Sequence, residues 1–160
     1  VEYRIETWPK TLVVGKRQEM SVSQNKTKEL WQSCLPDILH TKHRTSEDIL
    51  SLQVYPEDYF TRFDPDKIFT KWACVSVSEI EDLPNDYDVL EIPDGLYAVF
   101  KHVGPASAAG KTFGYIYGQW LPQSRYTLDY RPHFEVLGKK YKNNEIDSEE
   151  DIWIPIKLKK

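Results

Sequence analysis

The sequence predicts an α+β fold in which two βαββ units, related by a pseudo-twofold axis, build one antiparallel sheet with two helices packed on one face. Three observations predict it. Runs of β-branched and aromatic residues at strand length recur along the chain. One segment in each half carries apolar residues at helical spacing. The order strand, helix, strand, strand is written twice, in a half from about residue 1 to 80 and another from about 95 to 158. A chain of 160 residues has room for one such domain. At that size roughly 70% of the unfolded surface is buried, enough to fold without a disulfide or a metal.

In the first half, YRIETW and TLVVGKRQEMSV read as extended runs separated by Pro9 and Lys10, because the pre-proline position and the β-branched content disfavour a helix. Ser23 fits an N-cap. From there to about His40 the residues Leu30, Trp31, Cys34, Leu35, Ile38 and Leu39 form one broad apolar face, with a kink or end expected at Pro36. Strands follow at Ile49–Tyr55 and Lys71–Ser78, around a polar loop holding Pro56, Asp64 and Pro65. The acidic stretch Glu79–Asp88 reads as a linker.

The second half opens with a strand at Leu96–Val103, broken by Gly104-Pro105. Ala106–Leu121 then carries Phe113, Ile116, Tyr117 and Trp120 at helical spacing, with Gly110, Gly114 and Gly118 expected to allow close packing on a neighbour. Strands at His133–Leu137 and Ile152–Leu158 close the order, separated by the polar loop GKKYKNNEIDSEED.

Composition narrows the function classes. A net charge of −4 and no basic stripe argue against direct nucleic-acid binding; the four-residue Lys157–Lys160 tail reads as solvated chain. No apolar run approaches the ~20 residues of a membrane span, and no signal peptide opens the chain. Cys34 and Cys74 form neither a disulfide framework nor a metal motif, so a reducing, cytoplasmic setting is expected. Aromatic residues reach 13%, including 5 Trp and 10 Tyr, and these line either a large core or a pocket.

Strand alternation sharpens one candidate. In His133–Leu137, Phe134 and Val136 share one face, and His133, Glu135 and Leu137 the other. Assigning Phe134 and Val136 to the helices aims Glu135 away from the helical layer. The same assignment on Lys71–Ser78, with Ala73, Val75 and Val77 under the helix, puts Trp72 on Glu135's side. A carboxylate among aromatic faces suits an organic cation, since rings give dispersion and cation–π attraction and the acid gives the counter-charge. The plain alternative is an exposed strand glutamate paired with a lysine or arginine.

YAVFKHVGP, RPHFEVLG and EEDIWIPIK, in that order around an aromatic-rich helix, resemble the GyrI-like family. It comprises effector-binding domains of AraC-type and MerR-type multidrug regulators and stand-alone modules from mobile gene cassettes. The resemblance runs from about Tyr3 to Ile156. It implies a ligand groove between the halves, on the sheet face opposite the helices, with Glu135 matching the glutamate that faces cationic drugs. The expected ligand-binding set is Glu135 with Trp72, Tyr97, Trp120, His133 and Trp153. The ligand domain accounts for the whole chain, so a helix-turn-helix is not expected and any regulatory role would need a separate DNA-binding partner.

Three functions follow. The first is a stand-alone binding module for amphipathic cationic or aromatic compounds. The second is a hydrolase of cyclopropane-bearing toxins, as some members of the resembled family are, with Glu135 as general acid or base. The third is a gyrase-interacting inhibitor, the activity that names the family, although −4 is a modest charge for mimicking nucleic acid. No cofactor and no metal site are expected: His40 and His43 lack a third ligand at characteristic spacing and read as surface residues. His102 and His133 read as structural histidines, each with a proton shuttle as the alternative. Gly104, Gly110 and Gly114 form no phosphate loop.

Overall fold

Two short links dictate the shape of the sheet. The computed structural model describes residues 1–160, with strands in the order β1-β6-β9-β8-β3-β4-β2-β5. The strands are β1 Tyr3–Trp8, β2 Thr11–Met20, β3 Ile49–Val54, β4 Phe69–Ser76, β5 Asp88–Ile92, β6 Gly95–Val103, β7 Tyr126–Leu128, β8 His133–Leu137 and β9 Glu149–Leu158. Short β7 pairs with β9 outside this path. Every pairing is antiparallel. In a flat sheet β1 and β2 would stand roughly 29 Å apart at about 4.8 Å per strand. Yet only Pro9 and Lys10 join them, a span of at most about 11 Å. Pro93 and Asp94 join β5 to β6 across a similar gap. The sheet therefore rolls until its two edges approach.

The inside of the roll is an aromatic core. Trp8, on the β1 side of one link, packs edge-on against Phe134 and Trp153, each with ring centroids at 4.8 Å. Tyr97, Val99, Leu52, Trp72 and Cys74 fill the same cluster, all buried. Arg131 fastens the rim: Nη2 donates to the carbonyls of Leu96 (2.7 Å) and Ile156 (3.2 Å), Nε donates to Asp129, and the guanidinium lies 4.7 Å over the Tyr97 ring. A Cβ at position 95 would overlap that guanidinium and force it to move.

Both helices lie on the outside. The first, α1 (Thr27–Ile38), sets Leu30, Cys34 and Ile38 against Val14, Ala73 and Val75. The second, α2 (Ala109–Tyr115), continues as a π-helical turn, Ile116–Trp120, and a last turn, Leu121–Gln123; Ile116 and Trp120 cover Ala98, Phe100, Ile152 and Ile154. The order β6-β9-β8 mirrors β2-β4-β3 about the β3/β8 seam, and each half lends its leading strand, β1 or β5, to the other. The α+β class, the antiparallel sheet and the duplicated βαββ order are thus as the sequence predicts.

Several local expectations change. Ser23 is not the helix cap; its hydroxyl donates to Asp66 and its N–H to the Pro65 carbonyl, tying β2 to the β3–β4 loop, and α1 starts at Thr27. Pro36 sits within α1 without ending it. Gly110, Gly114 and Gly118 face open space and mediate no close packing. The end of the acidic linker and the residues after it form β5.

Candidate functional site

Registry places Glu135 on the helix-bearing face. Cross-strand partners share a face, and the row through Glu135 reads Ala73, Ser51, Glu135, Ile152, Phe100. Ala73 packs under α1, and Ile152 and Phe100 pack under the second helix. Glu135 and Ser51 fall between the helices, on the central pair of the β3/β8 seam. This corrects the expected assignment: Phe134 and Val136 point into the roll, together with Trp72, and Glu135 points outward. The face opposite the helices is packed core, because the rolled sheet closes over it, so the groove expected there is absent from that face.

Glu135 is 7% exposed. Its Oε1 accepts a hydrogen bond from Gln53 Nε2 at 3.1 Å and lies 3.7 Å from Lys71 Nζ, also buried. Burial pushes the Glu135 carboxyl above the usual carboxylate range, an effect that Lys71 and Gln53 oppose. Glu150 on β9, buried too, is pushed up to about 7 by burial and by the charge of Glu135, with Lys71 opposing.

Next along this face is an aromatic stack. His133, two residues before Glu135, faces Phe60 at 5.4 Å and Tyr55 edge-on at 4.8 Å, and Phe60 stacks on Tyr117 at 5.1 Å. The Tyr117 hydroxyl lies 3.1 Å from His133 Nδ1. Burial and Arg131 lower the imidazole to about 3, so it is neutral at physiological pH. Tyr55 and Tyr117 are raised by burial, then by neighbouring phenols and Glu135. Tyr117 rides on the π-helical turn, a distortion frequent at functional sites. Tyr55, Phe60, Tyr117, His133, Tyr130 and Arg131 are among the walls of an open recess of about 480 Å³.

Tyr59 and Phe60 belong to the segment between β3 and β4, a strap that reaches the second helix where Phe60 stacks on Tyr117. Lys67 knots it from within, donating to the carbonyls of Asp58 (3.2 Å), Tyr59 (3.2 Å) and Arg62 (3.0 Å). The rings of Tyr55, Tyr59, Phe60 and Phe69 then form one cluster with centroid spacings of 4.5 to 6.0 Å.

Of the residues nominated from sequence, the structure brings together Glu135 and His133. Trp72, Tyr97 and Trp153 lie inside the roll, with the Tyr97 hydroxyl donating to the Pro132 carbonyl. Trp120 lies beneath the second helix against Tyr3 and Phe100. Sequence reading missed Tyr55, Phe60, Gln53, Lys71 and Glu150. Tyr117 was noted only for its helical spacing. Alternation carried a signal for Lys71, which shares its face with Ala73.

The other histidines are structural or superficial. His102 bonds Thr112 Oγ1 at 2.8 Å and the Pro105 carbonyl at 3.0 Å, holding the start of the second helix to β6. His43 Nε2 meets carboxylates of both Glu79 and Glu81 at 3.1 Å in an exposed cluster that Lys42 joins; His40 has no part in it. Spacing alone could not reveal that cluster, since the isolated Arg44–Val77 bridge brings the acids to the histidine from far along the chain.

Comparison with known proteins agrees with this architecture. SAV2435, solved bound to tetraphenylphosphonium, superposes with a TM-score of 0.77 at 19% identity, covering 98% of this chain and 94% of that one. The EcmrR C-terminal domain gives 0.75 at 15% identity, covering 99% and 98%; in EcmrR from its DNA complex the likeness spans 58% of that chain. A hydrolase encoded by lin2189 from Listeria innocua gives 0.58 at 13% identity, covering 98% and 92%. Identities this low carry the fold alone. A search of curated proteins gives no match. The family described as the GyrI-like small molecule binding domain matches residues 1–157, and with the duplicated sheet and paired helices in place, the chain belongs to the GyrI-like family.

Proposed function

We propose that this domain binds amphipathic organic cations in the groove between its two helices. The observation that carries the reading is a buried carboxylate, Glu135, beside the stacked rings of Tyr55, Phe60, Tyr117 and His133. Rings supply a sequence of π faces, and a desolvated cation–π contact contributes about 2 kcal/mol. Two or three such contacts supply about 4–6 kcal/mol of the roughly 8 kcal/mol of micromolar binding, and a counter-charge adds to them. The tetraphenylphosphonium-bound relative supports the same ligand class. Cys34 and Cys74, buried free thiols on opposite faces of the sheet, fit action in a reducing cytoplasm.

Equilibrium dialysis with tetraphenylphosphonium tests the proposal. Wild type binds, and Glu135→Gln, which keeps the shape and removes the charge, weakens binding about tenfold or more. Equal affinity in the variant would sink the counter-charge role.

A hydrolase is the second reading, favoured by the raised Glu135 carboxyl beside a desolvated wall. A carboxyl raised by burial is better suited to donate a proton to a leaving group than a solvated one. Product from an activated cyclopropane substrate in wild type, absent in Glu135→Gln with binding retained, would establish it; a product-free incubation counts against it.

A further inference from the structure

Glu135 is not a free counter-charge, because Lys71 lies 3.7 Å from it. A site that binds cations through Glu135 alone would present a lysine to its ligand, and the pair has no net charge to offer. The second carboxylate is on the same face. Glu150 precedes Ile152 by two residues, and Ile152 stands directly across from Glu135, so Glu150 is its diagonal neighbour, roughly 7–8 Å away along the sheet. Pseudosymmetry gives the same placement. Lys71 stands two residues before Ala73, the counterpart of Ile152 across the seam, so Lys71 and Glu150 occupy equivalent positions in the two halves with opposite charge. Glu150 is 9% exposed and makes neither an ion pair nor a hydrogen bond; only burial and the charges of Glu135 and Lys71 act on it. A largely desolvated carboxylate with no fixed partner favours a proton or a ligand cation beside it.

We propose that Glu150 is the second acid of the binding site, and that an organic cation entering the groove displaces a proton from the Glu135–Glu150 pair into solvent. Lys71 then neutralises one carboxylate and the ligand the other. The titratable groups facing Glu150 are His102 on β6, Glu135 on β8, Lys71 on β4 and Tyr141 in the segment before β9. His102 is held by Thr112 and Pro105, and Tyr141 is raised by burial and by both glutamates, which leaves the two carboxyls to exchange the proton. Glu150, pushed up to about 7, sets the pH window, and the titration belongs to the coupled pair.

The inference rests on the cation-binding reading, and its test separates the two. Tetraphenylphosphonium is titrated calorimetrically into the intact chain at pH 6 and pH 8, in buffers of different ionisation enthalpy that count released protons. Wild type is expected to bind about tenfold more tightly at pH 8 and to release close to one proton per cation at pH 6. Glu150→Gln flattens both responses, while uncharged triphenylphosphine oxide binds both proteins alike at either pH. Affinity independent of pH with no proton release overturns the inference and leaves the cation reading standing, and the wild-type proton count alone decides this if the variant fails to fold. Proton release that persists in Glu150→Gln also overturns the assignment. No binding at either pH overturns both.

Discussion

Ionisation in the groove is set by burial more than by residue type. His133 is the clearest case. Its folded value near 3 lies below the ordinary 6.5, so between those limits the folded state binds fewer protons than the unfolded chain. Its contribution is intact above pH 6.5 and is lost as pH falls toward 3, by an amount on the order of 3–5 kcal/mol at the acid extreme. Denaturant titrations at pH 7 and pH 4 should show this loss, and His133→Gln should remove much of it; an unchanged acid sensitivity would mean that other groups control it. At this scale the sequence was half legible. Alternation correctly grouped His133 with Glu135, but choosing which set faced the helices required knowing what filled the other face. Small Ala73 and β-branched Val75 were rightly assigned to α1, whereas Phe134, assigned to the helices as an apolar strand residue, goes to the core of the roll.

Strands and helices hold the groove open, and the β3–β4 strap closes part of it. Its conformation depends on one half-buried ammonium, that of Lys67, bridging three carbonyls. Lys67→Met keeps the aliphatic stem and loses those bonds, each contributing about 1 kcal/mol. Amide exchange from Tyr55 to Ile68 should then accelerate more than in β4, with a stability loss of about 1–3 kcal/mol; uniform protection across both would remove the strap's dependence on Lys67. The element order was readable because periodicity is local: the extended runs before α1, both helices and the βαββ repeats are all where their apolar spacing puts them. The strap was not, since Phe60 and Tyr59 sit in a polar, proline-bearing loop whose destination depends on contacts with residues far along the chain.

At the level of the whole molecule, the two proline-bearing links turn a sheet into a roll and decide which face is available for binding. Phe134 sits fully buried at the centre of that roll, against Trp8, Tyr97 and Trp153. Phe134→Ala should cost about 3–5 kcal/mol in chemical denaturation; a loss below about 1 kcal/mol would contradict a closed aromatic interior. The roll also explains why Trp72 and Trp153 lie in the core: an indole-rich strand face suits a cleft or a core equally, and only the long-range closure separates them. The central claim is therefore the side of the sheet on which an organic cation is held. Nuclear magnetic resonance spectra of the labelled protein, recorded during titration with tetraphenylphosphonium, test it directly. The account predicts shifts in the ring signals of Phe60, Tyr117 and His133, with the indole N–H signals of Trp8 and Trp153 unmoved. Shifts concentrated at those two indoles, with the Phe60 and Tyr117 rings unchanged, would place the ligand inside the roll and contradict it.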